Sequence, residues 1–259
     1  MDLVEAKARG FDEPVRHWWE RARVRLALDL VRAHGRLSPG DVVLDVGCGD
    51  TFVVEHCARV CPQVMFYAVD SAFTPELIAA FRRRLRVPNV RLFSSLGDVP
   101  RERPARLVLL MDVLEHVADD VAMLRDIEAR VSLMDDCRFL ITVPAYQQLF
   151  SSHDTFLGHY RRYTRRMLRQ TMTAARLTPV VDGYLFASLL PLRYAQVLRE
   201  KLFGVPHGAT TDLATWKNET LAHALSAVLV AEGRVVMRLA RRGIRVPGLS
   251  VVAVCEKSA

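Results

Sequence analysis

The sequence predicts an α/β protein with a mostly parallel sheet and helices on both of its faces. Short apolar runs rich in β-branched residues alternate with amphipathic stretches, and each run ends in glycine or polar residues. The chain of 259 residues is long enough to bury one sizeable core. Because crossover helices join parallel strands, we expect the carboxyl ends of these strands to share one edge of the sheet.

The first predicted element is an amphipathic helix over residues 14–34. Pro14 suits a first-turn position, and Gly35 suits the end of the helix. Two tryptophans on one helix are usually core anchors, and alternating arginines usually form a solvated face. We therefore expect this helix to pack on the core or close over a cleft, with Trp18 as its substrate contact.

The stretch 43–55 reads VLDVGCGDTFVVE and predicts a strand, a tight glycine turn and a helix. Glycine lets a ligand approach bare backbone, and the first turn of a helix offers unpaired N–H groups. A small molecule that carries adenosine suits such a turn. The turn alone is weak evidence, because dinucleotides also bind to turns of this kind.

Polar residues follow the next strands at the same edge. Asp70 closes the apolar run 64–69, about twenty residues past the glycines, a spacing at which a carboxylate accepts hydrogen bonds from ribose hydroxyls. A further run, 107–111, ends in Asp112. We expect a ligand to lie across these strand ends.

The remaining elements follow from start signals and periodicity. Thr74-Pro75 and Thr164 are typical of helix starts, and Asp119 and Asp120 suit the N-terminus of another helix. The further predicted strands are 90–94, 178–186 and 249–256, and the further predicted helices are 117–131, 164–175, 188–203 and 214–241.

Composition limits the partners and the compartment. The net charge is +7, but nearly all of it is arginine, which a genomic bias explains as well as an acidic partner does. Nothing resembles an aromatic-interleaved platform for nucleic acid, so we expect none. The odd number of cysteines, five, fits a reduced cytoplasmic setting, and the start MDLVEAKARG does not resemble a secretory signal.

No apolar run reaches the length of about 18 residues that spans a bilayer, so we expect no transmembrane segment. The apolar segment 184–198 is compatible with a peripheral membrane contact or with a buried helix. The sequence leaves the oligomeric state open.

The motifs VLDVGCG, AVD, LVLLMDVLEHV and FLITVPA together resemble those of the class I S-adenosylmethionine-dependent methyltransferases. The resemblance implies a Rossmann-like sheet of seven strands with a helical insertion before the last strand. It implies a helical segment at 1–36 as a lid, a core at 37–186, an insertion at 187–247 as a substrate cap or dimer surface, and a last strand at 248–259. Thr51 departs from the family pattern, which commonly has a third glycine there.

The resemblance also implies S-adenosylmethionine as the cofactor and S-adenosylhomocysteine as its product. Asp45 would attract the ammonium of the cofactor or brace the glycine turn, and Asp70 would bind the ribose. The residues expected to bind the cofactor are Asp45, Gly47, Cys48, Gly49, Asp70, Ser71, Ser95, Leu96, Met111, Asp112, Leu114 and His116.

The segment YQQLFSSHDTFLGHYRRYT, residues 146–164, is dense in polar and aromatic residues and follows the fifth strand. It resembles a variant among bacterial methyltransferases, and the alternative interpretation is a loop held by His–Asp and Arg–carboxylate pairs. The expected catalytic residues are His153, His159, Asp112 and Tyr163, with either histidine as the base. The expected substrate contacts, besides Trp18, are Tyr146, Asp154, Tyr160, Arg161 and Arg162.

The D-x-x-E-H spacing that begins at Asp112 also resembles metal ligands in a few relatives, but most methyltransferases with this motif bind no metal, and we expect none here. The predicted function is methylation of a small-molecule acceptor of specialised metabolism, a biosynthetic role, at oxygen or nitrogen rather than carbon. Alternatives are a sugar- or lipid-linked acceptor, a nicotinamide dehydrogenase, and a non-catalytic scaffold that binds the cofactor.

Overall fold

The computed structural model of the chain describes residue 3 and residues 17–204 and 219–257. Its centre is a seven-stranded sheet in the order β3-β2-β1-β4-β5-β7-β6. The strands are β1 (Val42–Val46), β2 (Met65–Val69), β3 (Val90–Phe93), β4 (Ala105–Met111), β5 (Leu133–Pro144), β6 (Leu177–Leu185) and β7 (Ser250–Lys257). β7 runs antiparallel to both of its neighbours, and the first five strands pair in parallel. The predicted α/β fold is confirmed.

Eight α-helices surround the sheet in the described part of the chain. They are α1 (Trp18–His34), α2 (Phe52–Val60), α3 (Pro75–Arg84), α4 (Asp120–Arg130), α5 (Ser152–Leu157), α6 (Arg165–Ala174), α7 (Leu189–Phe203) and α8 (Glu219–Arg241). Helix α1 begins later than the predicted residue 14, because His17 caps it together with the Glu20 side chain. Pro14 and residues 214–218 lie outside the described residues.

The predicted caps are present where the sequence places them. The hydroxyls of Thr74 and Thr164 accept hydrogen bonds from the backbone N–H groups of Leu77 and Met167, at 3.3 and 3.2 Å. Asp119 accepts the N–H of Ala122 at 2.8 Å. Each cap satisfies a donor that the first helical turn leaves without an intrahelical partner.

Two hydrophobic clusters cover the two faces of the sheet. Val43 contributes to one cluster and its neighbour Leu44 to the other, because successive side chains of a strand point to opposite faces. Strands buried on both faces read as continuous apolar runs, which explains why the sequence shows them so clearly. Packing on both faces leaves the strand ends as the place for polar chemistry.

Helices α7 and α8 form the insertion before β7. Helix α8 packs against α1 and β6, and the contact is close: a Cβ added to Gly233 would lie 2.7 Å from the Leu26 side chain. Within the described residues, α8 is the one helix whose length and composition would suffice to cross a membrane. Its buried residues face α1 and the sheet in this fold.

Candidate functional site

A cavity of about 710 Å³ lies at the carboxyl ends of β1, β2 and β4. This volume falls within the range of about 300–1,000 Å³ that is typical of small-molecule sites. Most of the residues expected to bind the cofactor line this cavity. They are Asp45, Gly47, Cys48, Gly49, Asp70, Ser71, Ser95, Leu96, Met111, Asp112 and His116, and the lining also includes Trp18, His153, His159 and Arg162.

The glycine turn after β1 is held in place by Asp70, the residue that directly follows β2. Gly47 and Gly49 have φ angles of +68° and +57°, a region that favours glycine. A Cβ on Gly47 would also lie 2.7 Å from the Val113 side chain. The Gly49 N–H donates to Oδ2 of Asp70 at 2.9 Å, and the Ala72 N–H donates to Oδ1 at 3.0 Å. Asp70 is therefore held in place by backbone donors at the cavity wall.

Thr51 has a left-handed backbone conformation, which favours glycine. Its φ is +67°, and its side chain is fully buried. The hydroxyl accepts a hydrogen bond from Arg84 at 3.1 Å, and Arg84 also donates to the carbonyl of Asp50. Thr51 is absent from the cavity lining, so the hydroxyl contact runs to the protein. Arg84, the last residue of α3, therefore braces this turn.

Asp45 presents a buried carboxylate to the cavity. Only 2% of the residue is exposed, and its Oδ2 has no hydrogen-bond partner among the described residues. Burial raises the pKa of Asp45 to about 7. A cationic group in the cavity would supply the missing partner, and the ammonium of the predicted cofactor fits that need.

Arg23 of α1 reaches the end of β4 across the cavity. Its guanidinium lies 2.7 Å from Oδ2 of Asp112 and donates to the carbonyl of Met111 at 2.8 Å. Thr142 donates to the other oxygen of Asp112 at 2.8 Å. The sequence-based expectation of a solvated arginine face is wrong for Arg23, because tertiary packing turns this residue toward the site.

Glu115 is the most deeply buried acid of the site. It is 0% exposed, and neither of its carboxylate oxygens has a side-chain or backbone partner among the described residues. Burial, followed by the nearby charge of Asp112, raises the pKa of Glu115 well above its usual range. Burial therefore favours the protonated form of this carboxyl group.

His159 stands on the cavity wall with its orientation fixed from behind. Its Nδ1 lies 2.8 Å from Oδ1 of Asp154, and Nε of Arg162 donates to the same oxygen at 2.7 Å. The N–H and hydroxyl of Ser151 donate to Oδ2 of Asp154, at 3.0 and 3.2 Å. Despite the cost of burial, these donors lower the pKa of Asp154, which stays ionised.

Several expected site residues do not reach the cavity. Asp154 is fully buried behind His159 and does not line the cavity. The Tyr163 hydroxyl donates to Asp120 at 2.8 Å, and burial raises the pKa of Tyr163. This tyrosine is therefore structural. Leu114 lies in the core, and Val113 lines the cavity in its place.

Three further expected substrate contacts also lie away from the cavity. Tyr146 stacks on Tyr184 with ring centroids 5.6 Å apart. Tyr160 is 60% exposed on the outer surface, and Arg161 binds the carbonyl of Ala118. The polar residues of segment 146–164 therefore serve mainly to hold the loop together. Of the site residues expected in this segment, His153, His159 and Arg162 line the cavity.

One group of side chains has the geometry of a metal site. Ligand atoms of Glu115, His116 and His159 all lie within 4.8 Å of one another. Asp112, which the D-x-x-E-H pattern would add, is engaged by Arg23. Because the pKa of Glu115 is raised, a divalent ion would have to compete with a proton for this carboxylate.

Comparison with known proteins identifies the class. A family model described as a methyltransferase domain matches residues 18–181, which is more than half of the chain. The chain therefore belongs to this family, and it is a class I S-adenosylmethionine-dependent methyltransferase. Family membership decides against the nicotinamide dehydrogenase.

Individual relatives show similarity over part of their length. Over 121 residues, the chain is 36% identical to the ubiquinone biosynthesis O-methyltransferase of Xanthomonas campestris. The matched region covers 42% of this chain and 48% of that protein. The chain thus spans about half the length of the curated relatives that it matches.

Solved structures share the fold at low identity. The 1,6-didemethyltoxoflavin-N1-methyltransferase of Burkholderia thailandensis, solved with its substrate and S-adenosylhomocysteine, matches with a TM-score of 0.54 at 21% identity, over 99% of this chain and 85% of that one. A geranyl diphosphate methyltransferase in complex with GPP and sinefungin matches with a TM-score of 0.56 at 17% identity, over 92% of this chain and 78% of that one.

Proposed function

We propose that this methyltransferase acts on a hydroxyl group of a small-molecule acceptor and that His159 is the general base. The observation that supports this role is the pairing of His159 with Asp154. Since Nδ1 faces Asp154 at 2.8 Å, the other ring nitrogen, Nε2, is left to accept a proton in the cavity. The tautomer follows from this contact, because a carboxylate requires a donor at Nδ1.

The proposed step is an in-line displacement. The acceptor oxygen attacks the methyl carbon, and the electron pair of the breaking carbon–sulfur bond stays on sulfur. The sulfonium thereby becomes the thioether of S-adenosylhomocysteine, and the acceptor proton moves to Nε2 of His159. A hydroxyl acceptor needs this base because it must lose a proton, whereas the cofactor already supplies an activated methyl group.

The charges in the cavity match the zwitterionic end of the cofactor. We assign its ammonium to Asp45, whose Oδ2 is otherwise unpartnered, and its carboxylate to Arg23. We assign the ribose hydroxyls to Asp70, whose two oxygens each keep a lone pair after accepting a backbone N–H. Arg23 thereby joins the cofactor site from the N-terminal helix.

The insertion contributes one wall of the proposed acceptor site. Leu189, Leu192 and Gln196 of α7 line the cavity, which supports a substrate cap rather than a dimer surface for this part of residues 187–247. Trp18 of α1 lines the cavity as well, which supports a lid role for part of residues 1–36. The Xanthomonas campestris relative is an O-methyltransferase, which supports an oxygen acceptor.

The test combines binding with transfer. Calorimetry with S-adenosylmethionine, S-adenosylhomocysteine and NAD should give binding of the two sulfur compounds and none of NAD. Methyl-labelled cofactor is then offered with pairs of aromatic acceptors that differ only in a hydroxyl or an amine. Label transfer to the hydroxyl member, lost in His159→Gln, supports the proposal. Transfer to the amine alone contradicts the role of His159.

A second proposal concerns acceptors carried on a lipid. The apolar side chains of α7 at the cavity wall suit an acceptor with a hydrocarbon tail. If binding of S-adenosylmethionine occurs and no acceptor of any class is methylated, the alternative of a non-catalytic scaffold gains support.

A further inference from the structure

Helix α7 places Arg193 and Glu200 on its inner side and several large apolar residues on its exposed side. Arg193 is buried, and the Glu200 carboxylate accepts the backbone N–H of Ser152 at 2.8 Å. Helices of globular proteins normally show the opposite arrangement, with the apolar stripe on the core. The large apolar residues exposed on α7 are Leu192, Tyr194, Leu198, Leu202 and Phe203, and Phe203 is 82% exposed.

Three of the exposed apolar residues form one stripe along the helix. Tyr194, Leu198 and Leu202 follow one another at intervals of four residues, which places them on one side of the helix. Five large apolar side chains on a helix of 15 residues exceed the scattered exposure that is ordinary for a protein surface. A contiguous patch of this kind indicates a contact with a partner or with a membrane.

The charge on the same face is of one sign. Arg199 and Lys201 are exposed, whereas Glu200, the one acid of α7, is held by Ser152 on the inner side. The outward face of α7 is therefore apolar and cationic, and the whole chain carries a net charge of +7. Apolar residues flanked by Lys and Arg match the interface of a bilayer that contains anionic lipid.

The position of α7 connects this face to the cavity. Leu192 is 66% exposed, and it also lines the cavity together with Leu189. The apolar surface thus continues from the outside of the protein into the proposed acceptor site. A bilayer in contact with α7 could deliver an apolar molecule along this path, whereas a second copy of the chain on the same face would cover the entrance.

We propose that α7 docks the protein onto an anionic phospholipid surface. The helix lies in the headgroup region, with Leu198, Leu202 and Phe203 inserted toward the acyl chains and with Arg199 and Lys201 at the lipid phosphates. This contact does not depend on the chemistry proposed above, but it explains how an acceptor with a lipid tail would reach the cavity.

The test is co-sedimentation with vesicles of phosphatidylcholine, with or without phosphatidylglycerol. The wild-type protein should sediment with vesicles that contain phosphatidylglycerol, and added salt should release it. Leu198→Glu/Leu202→Glu should lower the bound fraction by about tenfold or more, because two inserted side chains become charged. Neither residue lines the cavity. Arg199→Gln/Lys201→Gln should remove the dependence on anionic lipid.

The matched control is Val60→Glu/Val180→Glu, which adds the same charge at exposed apolar positions on α2 and β6. This variant should bind vesicles like the wild type. Thermal unfolding followed by circular dichroism reports the folding of each variant without any ligand, so the result stands apart from cofactor binding. Equal vesicle binding by wild type and Leu198→Glu/Leu202→Glu, or none by the wild type, would overturn the proposal. A dimer that Leu198→Glu/Leu202→Glu converts to a monomer, seen by light scattering, would assign the face to a second copy.

Discussion

Nδ1 of His159 lies 2.8 Å from Oδ1 of Asp154, and this contact determines which ring nitrogen faces the cavity. Asp154 is itself held by Ser151 and Arg162, so the imidazole cannot turn without breaking a buried network. Buried networks of this kind fix one geometry when every member is satisfied. This contact with Asp154 distinguishes His159 from His153 as a candidate base. His153 also lines the cavity but has no such carboxylate partner among the described residues.

We expect His159→Gln to lower turnover by about a hundredfold, because general-base catalysis typically contributes about 10²–10⁴-fold. Cofactor affinity should stay within about threefold of the wild type, since the substitution removes no contact assigned to the cofactor. The measurement is single-turnover methyl transfer together with calorimetry. His153→Gln is the matched control and should slow transfer by much less. Equal losses in both variants would remove the basis for choosing His159.

Asp45 should make cofactor binding dependent on pH. Burial raises its pKa to about 7, so the carboxyl group is mostly protonated in the ligand-free protein below that value. The bound ammonium requires the ionised form, and affinity for S-adenosylhomocysteine should therefore rise about tenfold between about pH 5.5 and about pH 7. Calorimetry across this range measures the effect. Asp45→Asn, of the same shape, should bind more weakly and show a flat profile. A wild-type profile that is equally flat would exclude this role.

The glycine turn and Asp70 could be predicted from the sequence because their geometry is local. A strand, two glycines and a carboxylate at a fixed spacing lead to a site wherever parallel strands end side by side. The caps at Thr74 and Thr164 are equally local. The roles of the polar residues after β5 could not be predicted from the sequence. Polarity does not distinguish a side chain that faces a cavity from one such as Tyr163, whose hydroxyl closes a buried loop.

Arg23, Arg84 and Arg193 could not be predicted, because their roles depend on which elements meet in three dimensions. The pattern of the first helix indicates a solvated face for its arginines, and each of the three residues is instead drawn inward by a partner distant in sequence. The inward position of Arg193 and Glu200 on α7 also depends on tertiary packing, since the inner side of this helix meets polar loop residues. The cytoplasmic localisation and the domain boundaries stay predictions.

Asp70→Ala should weaken binding of S-adenosylhomocysteine by about tenfold or more, because a hydrogen bond to a charged group contributes about 1.5–3 kcal/mol. The variant also leaves the N–H groups of Gly49 and Ala72 without their acceptor, which loosens the turn. Asp70→Asn is the matched control, because it keeps one carbonyl oxygen and should lose less. Calorimetry measures both. Unchanged affinity in Asp70→Ala would mean that the cofactor does not lie across the end of β2.

Thr51 stands where the family commonly has a glycine, and Thr51→Gly tests how this difference affects cofactor affinity and stability. The threonine hydroxyl is bound to Arg84, and the residue does not line the cavity, so cofactor affinity should stay within about threefold of the wild type. Stability should change by less than about 1 kcal/mol, because relief of the left-handed backbone offsets the lost hydrogen bond. Denaturant unfolding and calorimetry give the two values. An affinity gain of about tenfold would show instead that Thr51 restricts the cofactor site.

Glu115→Gln should be nearly neutral for stability at about pH 5 and stabilising at about pH 8, because the pKa of Glu115 is raised and glutamine has the shape of the neutral acid. The sign of the pH dependence follows from the same shift. The folded state keeps the proton to a higher pH than the unfolded state does, so the wild type loses stability as pH rises above the unfolded pKa of about 4.3. Glu115→Gln should remove that loss, and the free energies of unfolding of the two proteins should diverge in its favour with increasing pH. Urea titrations at about pH 5 and about pH 8 measure this difference. Destabilisation of Glu115→Gln at both pH values would mean that Glu115 is ionised in the fold, and would favour a bound cation held by Glu115, His116 and His159.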